Sequence, residues 1–381
     1  MTDLGKSTEE IDQKLVSGKR YSLYLPKNSE ACKKGFGRSV DAKLMMREIS
    51  LFASSIQIRR KWVFLFVFLR AIIPYIIRWA QFGSPVYGFG VDSYLYSLLD
   101  IIFGTLFLLM NYIFILAGLI DFQRRSTIMK ACSAMLNPMK SQLEPKFRIF
   151  PTVLMTCTQS MHSWFQMRLC LMDLGRKYVN RIFIYSSTFL GCYLFYAIIL
   201  ILQYFDLINL EISPIFQAIA LYDIIFTLTN IFAMLFYGAV VNEQFTEDQM
   251  LLMKQKSVLI YIKSNIETIM HPCYEEKSFP LVELGLPKIN QLYLKIYQNL
   301  LFGIKKKYNY TNEQLGNHIL NVVHELDTIR ERLDMDSSYA PLKLLGFKAS
   351  YSLLNRIYTG IATLMLAMAQ KMMNKPIDGG Y

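Results

Sequence analysis

Apolar and polar stretches alternate along this chain over tens of residues. Five apolar segments stand out: 62–82 (A), 94–122 (B), 182–205 (C), 215–241 (D) and 353–370 (E). Each is long enough to cross a bilayer as a helix, which takes about 20 residues. The links inside A–B (83–93) and C–D (206–214) are short, so each pair reads as a hairpin. The pattern predicts an all-α, polytopic membrane protein with five transmembrane helices. Its parts are an N-terminal region (1–61), hairpin A–B (62–122), a helical segment (123–181), hairpin C–D (182–241), a long helical region (242–351), a last membrane helix (352–373) and a short tail (374–381).

Composition agrees. Hydrophobic residues make up 53% of the 381 and aromatics 14%, too little charge to cover a soluble domain of this size. The first 50 residues are polar and mixed in charge, and read as carrying no cleavable signal peptide. The net charge of +12 could suit nucleic acid, but the bases flank the apolar segments. The predicted partners are therefore membrane lipids, with no nucleic acid. Neither link within a hairpin holds Lys or Arg, whereas 123–181 has ten bases against two acids and Arg59-Arg60-Lys61 precede segment A. The bias of bases towards the cytoplasm puts the N-terminus inside; five crossings leave the C-terminus outside.

The two long regions on the cytoplasmic side have helical periodicity. Met167, Leu171, Leu174 and Val179 share roughly one face, and Leu315, Ile319, Val322, Val323, Leu326, Ile329 and Leu333 form a continuous apolar stripe. A packed helical bundle follows, with joining of subunits as its sharper reading.

Polar groups inside the apolar segments are the candidate chemistry. In E, Thr359, Thr363, Leu366 and Gln370 fall at i, i+4, i+7 and i+11, on one helix face. Such a face could line a water-filled pore, with Leu366 as an apolar constriction. Alternatively the Thr hydroxyls bond back to carbonyls one turn earlier, while Gly360 permits close helix packing. In D, Asp223, Thr227 and Asn230 share a face. A carboxylate in an apolar helix costs about 2.5–3.5 kcal/mol on insertion scales and rarely faces lipid. Asp223 could pair with Arg70 of segment A, for which Asp100 of segment B competes. Or the face lines a ligand pocket walled by Tyr193, Tyr196, Tyr222 and Phe226. Pro74 should kink or loosen segment A.

Catalysis is not expected. None of the four His lies in a predicted crossing, no metal-binding spacing or phosphate loop occurs, and the six Cys show no paired spacing. No cofactor is predicted. Asn309-Tyr310-Thr311 is a glycosylation sequon that the predicted topology leaves in the cytoplasm, and so bare.

The carboxyl-terminal stretch resembles the insect gustatory receptors. Their last helix carries Thr-Tyr, five hydrophobic residues and Gln-Phe. This chain has Thr363-Leu364, then Met365 to Ala369, then Gln370-Lys371, with Leu and Lys replacing the Tyr and Phe. Gly346-Phe347, Ser352-Leu353-Leu354 and the leucine-rich 169–183 are similar to further family features. The likeness is clearest over 169–245 and 317–370. The family has seven crossings; losing one hairpin keeps the parity, with A to E matching its third to seventh helices, or A and B its first two.

What the resemblance implies is a plasma-membrane, tastant-gated, non-selective cation channel. Four subunits, identical or mixed with related receptors, would surround a pore lined by the last helix, and a small molecule would enter from outside. An odorant-receptor-type channel and a non-conducting scaffold or transporter are the alternatives.

Overall fold

The computed structural model describes residues 22–24, 39–55, 61–86, 90–137, 147, 150, 153, 155–173, 176–208, 213–274, 287–339, 342–344 and 346–374. The tail 374–381 thus lies outside them except for Asn374, as does most of 1–61. The fold is nearly all-α. Its helices are α1 (Ala42–Ser55), α2 (Lys61–Phe82), α3 (Val91–Leu136), α4 (Thr158–Asp173), α5 (Arg176–Tyr204), α6 (Pro214–Ser264), α7 (Ile266–Ile269), α8 (Lys288–Tyr308), α9 (Asn312–Tyr339) and α10 (Tyr351–Asn374). Two short antiparallel pairs complete it: β1 (Ser22–Tyr24) with β2 (Ser39–Asp41), and β3 (Lys343–Leu344) with β4 (Phe347–Lys348).

Among the described residues, four helices are long and apolar enough to cross a membrane: Val63–Phe82, Val91–Leu136, Ser187–Tyr204 and Ile215–Ser264. The fifth expected segment is helical, as α10, but is not one of these four. Asn355, Arg356, Thr359, Thr363 and Gln370 dilute its apolar content. Helix α2 runs on through Pro74.

The chain forms two compact units. One comprises Gln57–Gln123, Gly175–Val240 and Leu342–Tyr381. Its core holds Val67, Tyr112, Ile115, Phe122, Leu190, Met234 and Leu235, with Leu344 and Ala349 from the β3–β4 hairpin region. Outward-facing Phe64, Phe68, Phe103, Phe107 and Phe195 leave a broad apolar surface, which suits hydrocarbon rather than water. Gly238 of α6 lies tight against this core. A Cβ there would sit 2.7 Å from Ala349 Cβ and 2.9 Å from Phe122 Cε1, so only glycine lets the hairpin strap down.

The other unit comprises Met1–Ile56, Arg124–Leu174 and Val241–Pro341. The α9 stripe Leu315, Ile319, Val322, Val323, Leu326, Ile329 and Leu333 is buried, as are Met167 and Leu171 of α4; the side chains of Leu174 and Val179 lie outside the described residues. Buried polar groups here close the ends of helices. The Leu136 carbonyl, at the last residue of α3, accepts from the Tyr293 hydroxyl at 2.7 Å and from Gln255 Nε2 at 3.3 Å. It would otherwise be one of the unpaired terminal carbonyls that every helix leaves. Tyr297 donates in turn to Gln255 Oε1 at 2.5 Å. Burial pushes both the Tyr293 and Tyr297 phenols above the usual range. Arg168, fully buried, lies 3.2 Å from Asp248 and over the Phe245 ring.

The turn between α8 and α9 explains the sequon residues. Asn309 takes the left-handed conformation (φ 52°) that ends α8. Thr311 opens α9: its hydroxyl accepts from Gln314 N at 3.2 Å while Gln314 Oε1 accepts from Thr311 N at 3.0 Å, a reciprocal capping box. Both residues are thus accounted for by helix termination, whatever the glycosylation state.

Candidate functional site

Two places bring the predicted residues together. In the first, α6 carries Asp223 inward, 5% exposed. Arg70 of α2 approaches side-on. Its Nη2 donates to Asp223 Oδ2 at 2.9 Å and its Nε lies 3.2 Å from Oδ1, the two-pronged geometry that a guanidinium favours. The Tyr112 hydroxyl of α3 donates to Oδ1 at 2.5 Å. The Tyr112 ring also packs on Phe226, centroids 4.0 Å apart. Asp100 is elsewhere engaged: its Oδ2 accepts from the Tyr75 hydroxyl at 2.5 Å. Of the two carboxylates that compete for Arg70 in the sequence, Asp223 holds it and Asp100 does not, so Arg70 and Asp100 form no ion pair with each other among the described residues. The physical reason is that the Asp223 carboxylate is buried beside two donors, while Asp100 is exposed.

The rest of the predicted pocket wall is only partly gathered. Tyr222 donates its hydroxyl to the Phe66 carbonyl of α2 at 2.7 Å. Tyr193 and Phe226 each pack against the core. Thr227 is buried with its hydroxyl lacking a hydrogen-bond partner among the described residues, and Asn230 turns its amide back to the Phe226 carbonyl at 2.8 Å. Tyr196 lies edge-on to Phe216 and near the Phe195 ring. Tyr112 was not anticipated. Its signal was a lone phenol in the middle of an apolar helix, which needs a partner for its hydroxyl once buried.

The second place is α10. Leu353, Leu354 and Ile357 pack on the core, and Tyr351 meets the Phe236 ring at 6.1 Å. The opposite side carries Asn355, Arg356, Thr359, Thr363, Leu366 and Gln370, all exposed; Leu366 is 61% exposed. Thr359 donates to the Asn355 carbonyl and Thr363 to the Thr359 carbonyl, each at 2.9 Å. Gly360 faces open space and brings no neighbouring helix close among the described residues.

The chain finds no match among protein-family models, curated proteins or solved structures.

Proposed function

We propose that this chain is a subunit of a ligand-gated, non-selective cation channel of the gustatory-receptor type in the plasma membrane. Four copies meet around an axis lined by α10, with the N-terminus in the cytoplasm and the C-terminus outside. The observation that supports this most is the polar strip of α10 turned away from its own core. Amide and guanidinium groups at membrane depth rarely face lipid. A ring of identical strips around water gives them a solvated place.

Within such a ring each residue has a task. The Thr hydroxyl protons are spent on carbonyls one turn earlier, which leaves oxygen lone pairs to face water and cations. Leu366 narrows the conduit with an apolar girdle that closes by dewetting. Gln370 offers neutral amides, giving weak selectivity. The tastant occupies the space beside Tyr193, Tyr222, Phe226 and Thr227, with Tyr196 further out. Asp223 is charge-compensated by Arg70, so the wall favours an uncharged small molecule with aromatic or apolar surface.

The test is expression in cells with calcium and current readouts against a tastant panel. Gln370→Leu and Thr363→Leu should alter ion preference or current. Ligand-evoked currents unchanged in both variants would count against the pore assignment.

A further inference from the structure

The residue after Gln370 is a lysine, an awkward neighbour for a cation path. Lys371 does not project freely. Its Nζ donates to the Tyr204 carbonyl and to Asp206 Oδ2, both at 2.5 Å. It lies 5.4 Å from the Tyr204 ring centroid and 5.6 Å from that of Phe205, within cation–π range. Tyr204 returns the bond: its hydroxyl donates to the Met368 carbonyl of α10 at 2.8 Å. The clasp is therefore two-way, from α10 to the end of α5 and back.

Three independent effects hold the ammonium there. Tyr204 is the last residue of α5, so its carbonyl is one of the unpaired terminal acceptors and sits at the negative end of the helix dipole. Two aromatic faces flank it. Asp206, in the left-handed region at φ 57°, supplies the countercharge just beyond the helix end. An exposed ion pair alone contributes little, and Asp206 is 77% exposed; the carbonyl and the rings make this one more than a surface pair.

We propose that Asp206 and the end of α5 mask the charge of Lys371, so that the outer mouth of the pore stays permissive to cations. This deepens the channel reading and rests on it. Unmasked, four ammonium groups would ring the mouth next to the Gln370 amides. Like charges a few ångströms apart at a protein surface repel strongly enough to disfavour an entering cation severalfold or more. Asp206 thereby acts as a positioning residue, which works through Lys371.

The experiment has two arms on the full-length protein in cells. In the first, ligand-evoked cation current is measured for wild type, Asp206→Asn, Lys371→Gln and the double variant. Asp206→Asn should cut inward cation current roughly tenfold, the factor given by ~1.4 kcal/mol of added barrier; Lys371→Gln should not, and the double variant should recover it. In the second arm, a membrane-impermeant amine reagent labels Lys371 from outside, read by peptide mass spectrometry. Labelling should be slow in wild type and rise severalfold in Asp206→Asn. Equal labelling in both overturns the clasp. Faster labelling with unchanged current overturns charge masking while leaving the channel intact. Faster labelling with no ligand-evoked current in any variant, wild type included, instead removes the channel reading and with it the permeation role.

Discussion

Arg70 and Asp223, 153 residues apart in sequence, meet through two guanidinium nitrogens, the closer at 2.9 Å. The pair ties α2 to α6, and the Tyr112 hydroxyl adds α3. Asp223→Asn leaves Arg70 without its countercharge. Arg70→Met leaves the carboxylate with the Tyr112 phenol alone. Each single change should destabilise by about 3–5 kcal/mol, whereas Arg70→Met/Asp223→Asn together should cost far less than the sum. Thermal unfolding in detergent across this double-mutant cycle measures the coupling; additive losses would show that the two residues act independently.

Thr311→Ala and Asn309→Gly destroy the same sequon but should differ in stability. Loss of the Thr311 cap should cost about 0.5–2 kcal/mol. Glycine at 309 fits the left-handed conformation and should be tolerated. Urea unfolding of the two variants separates capping from glycosylation; equal destabilisation, matched by a mass loss on glycosidase treatment of wild type, would favour the glycan.

Gly238→Ala should destabilise by about 1–3 kcal/mol through overpacking against Ala349 and Phe122. Ala349→Gly introduced in the same chain should recover part of that loss, because the 2.7 Å approach disappears while the Phe122 contact remains. Melting temperatures of the single and double variants decide it; no recovery would mean that the strain lies in α6 itself.

The buried phenols of Tyr293 and Tyr297 make alkaline stability a readout of the second unit. Their pKa values are raised by burial in the folded state, against about 10 in the unfolded chain. Stability from keeping them neutral is fully present below pH 10 and falls as pH rises beyond it, because the unfolded chain then releases protons that the folded one retains. Tyr297→Phe should make that alkaline fall shallower. At neutral pH it should cost roughly 1 kcal/mol for the lost bond to Gln255. Melting curves from pH 8 to 11 test both; an unchanged alkaline slope would place the titration elsewhere.

What the sequence determined alone follows from solvent. A hydrocarbon environment demands some 20 apolar residues in a row, so 62–82, 94–122, 182–205 and 215–241 declare themselves, and each falls within or nearly within a helix long and apolar enough to cross. The 3.6-residue period likewise marked the α9 stripe from Leu315 to Leu333 that is buried in the structure. Pairing of distant groups was not legible in the same way. Asp100 competes with Asp223 for Arg70 in the sequence, and only the packing of α2, α3 and α6 brings Tyr112 to one carboxylate and Tyr75 to the other. The α10 ladder of Thr359, Thr363, Leu366 and Gln370 was plain from its spacing, but which side of that helix packs on the core was not. Periodicity fixes which residues share a face; tertiary packing decides what each face meets, because it depends on the positions of residues far away along the chain.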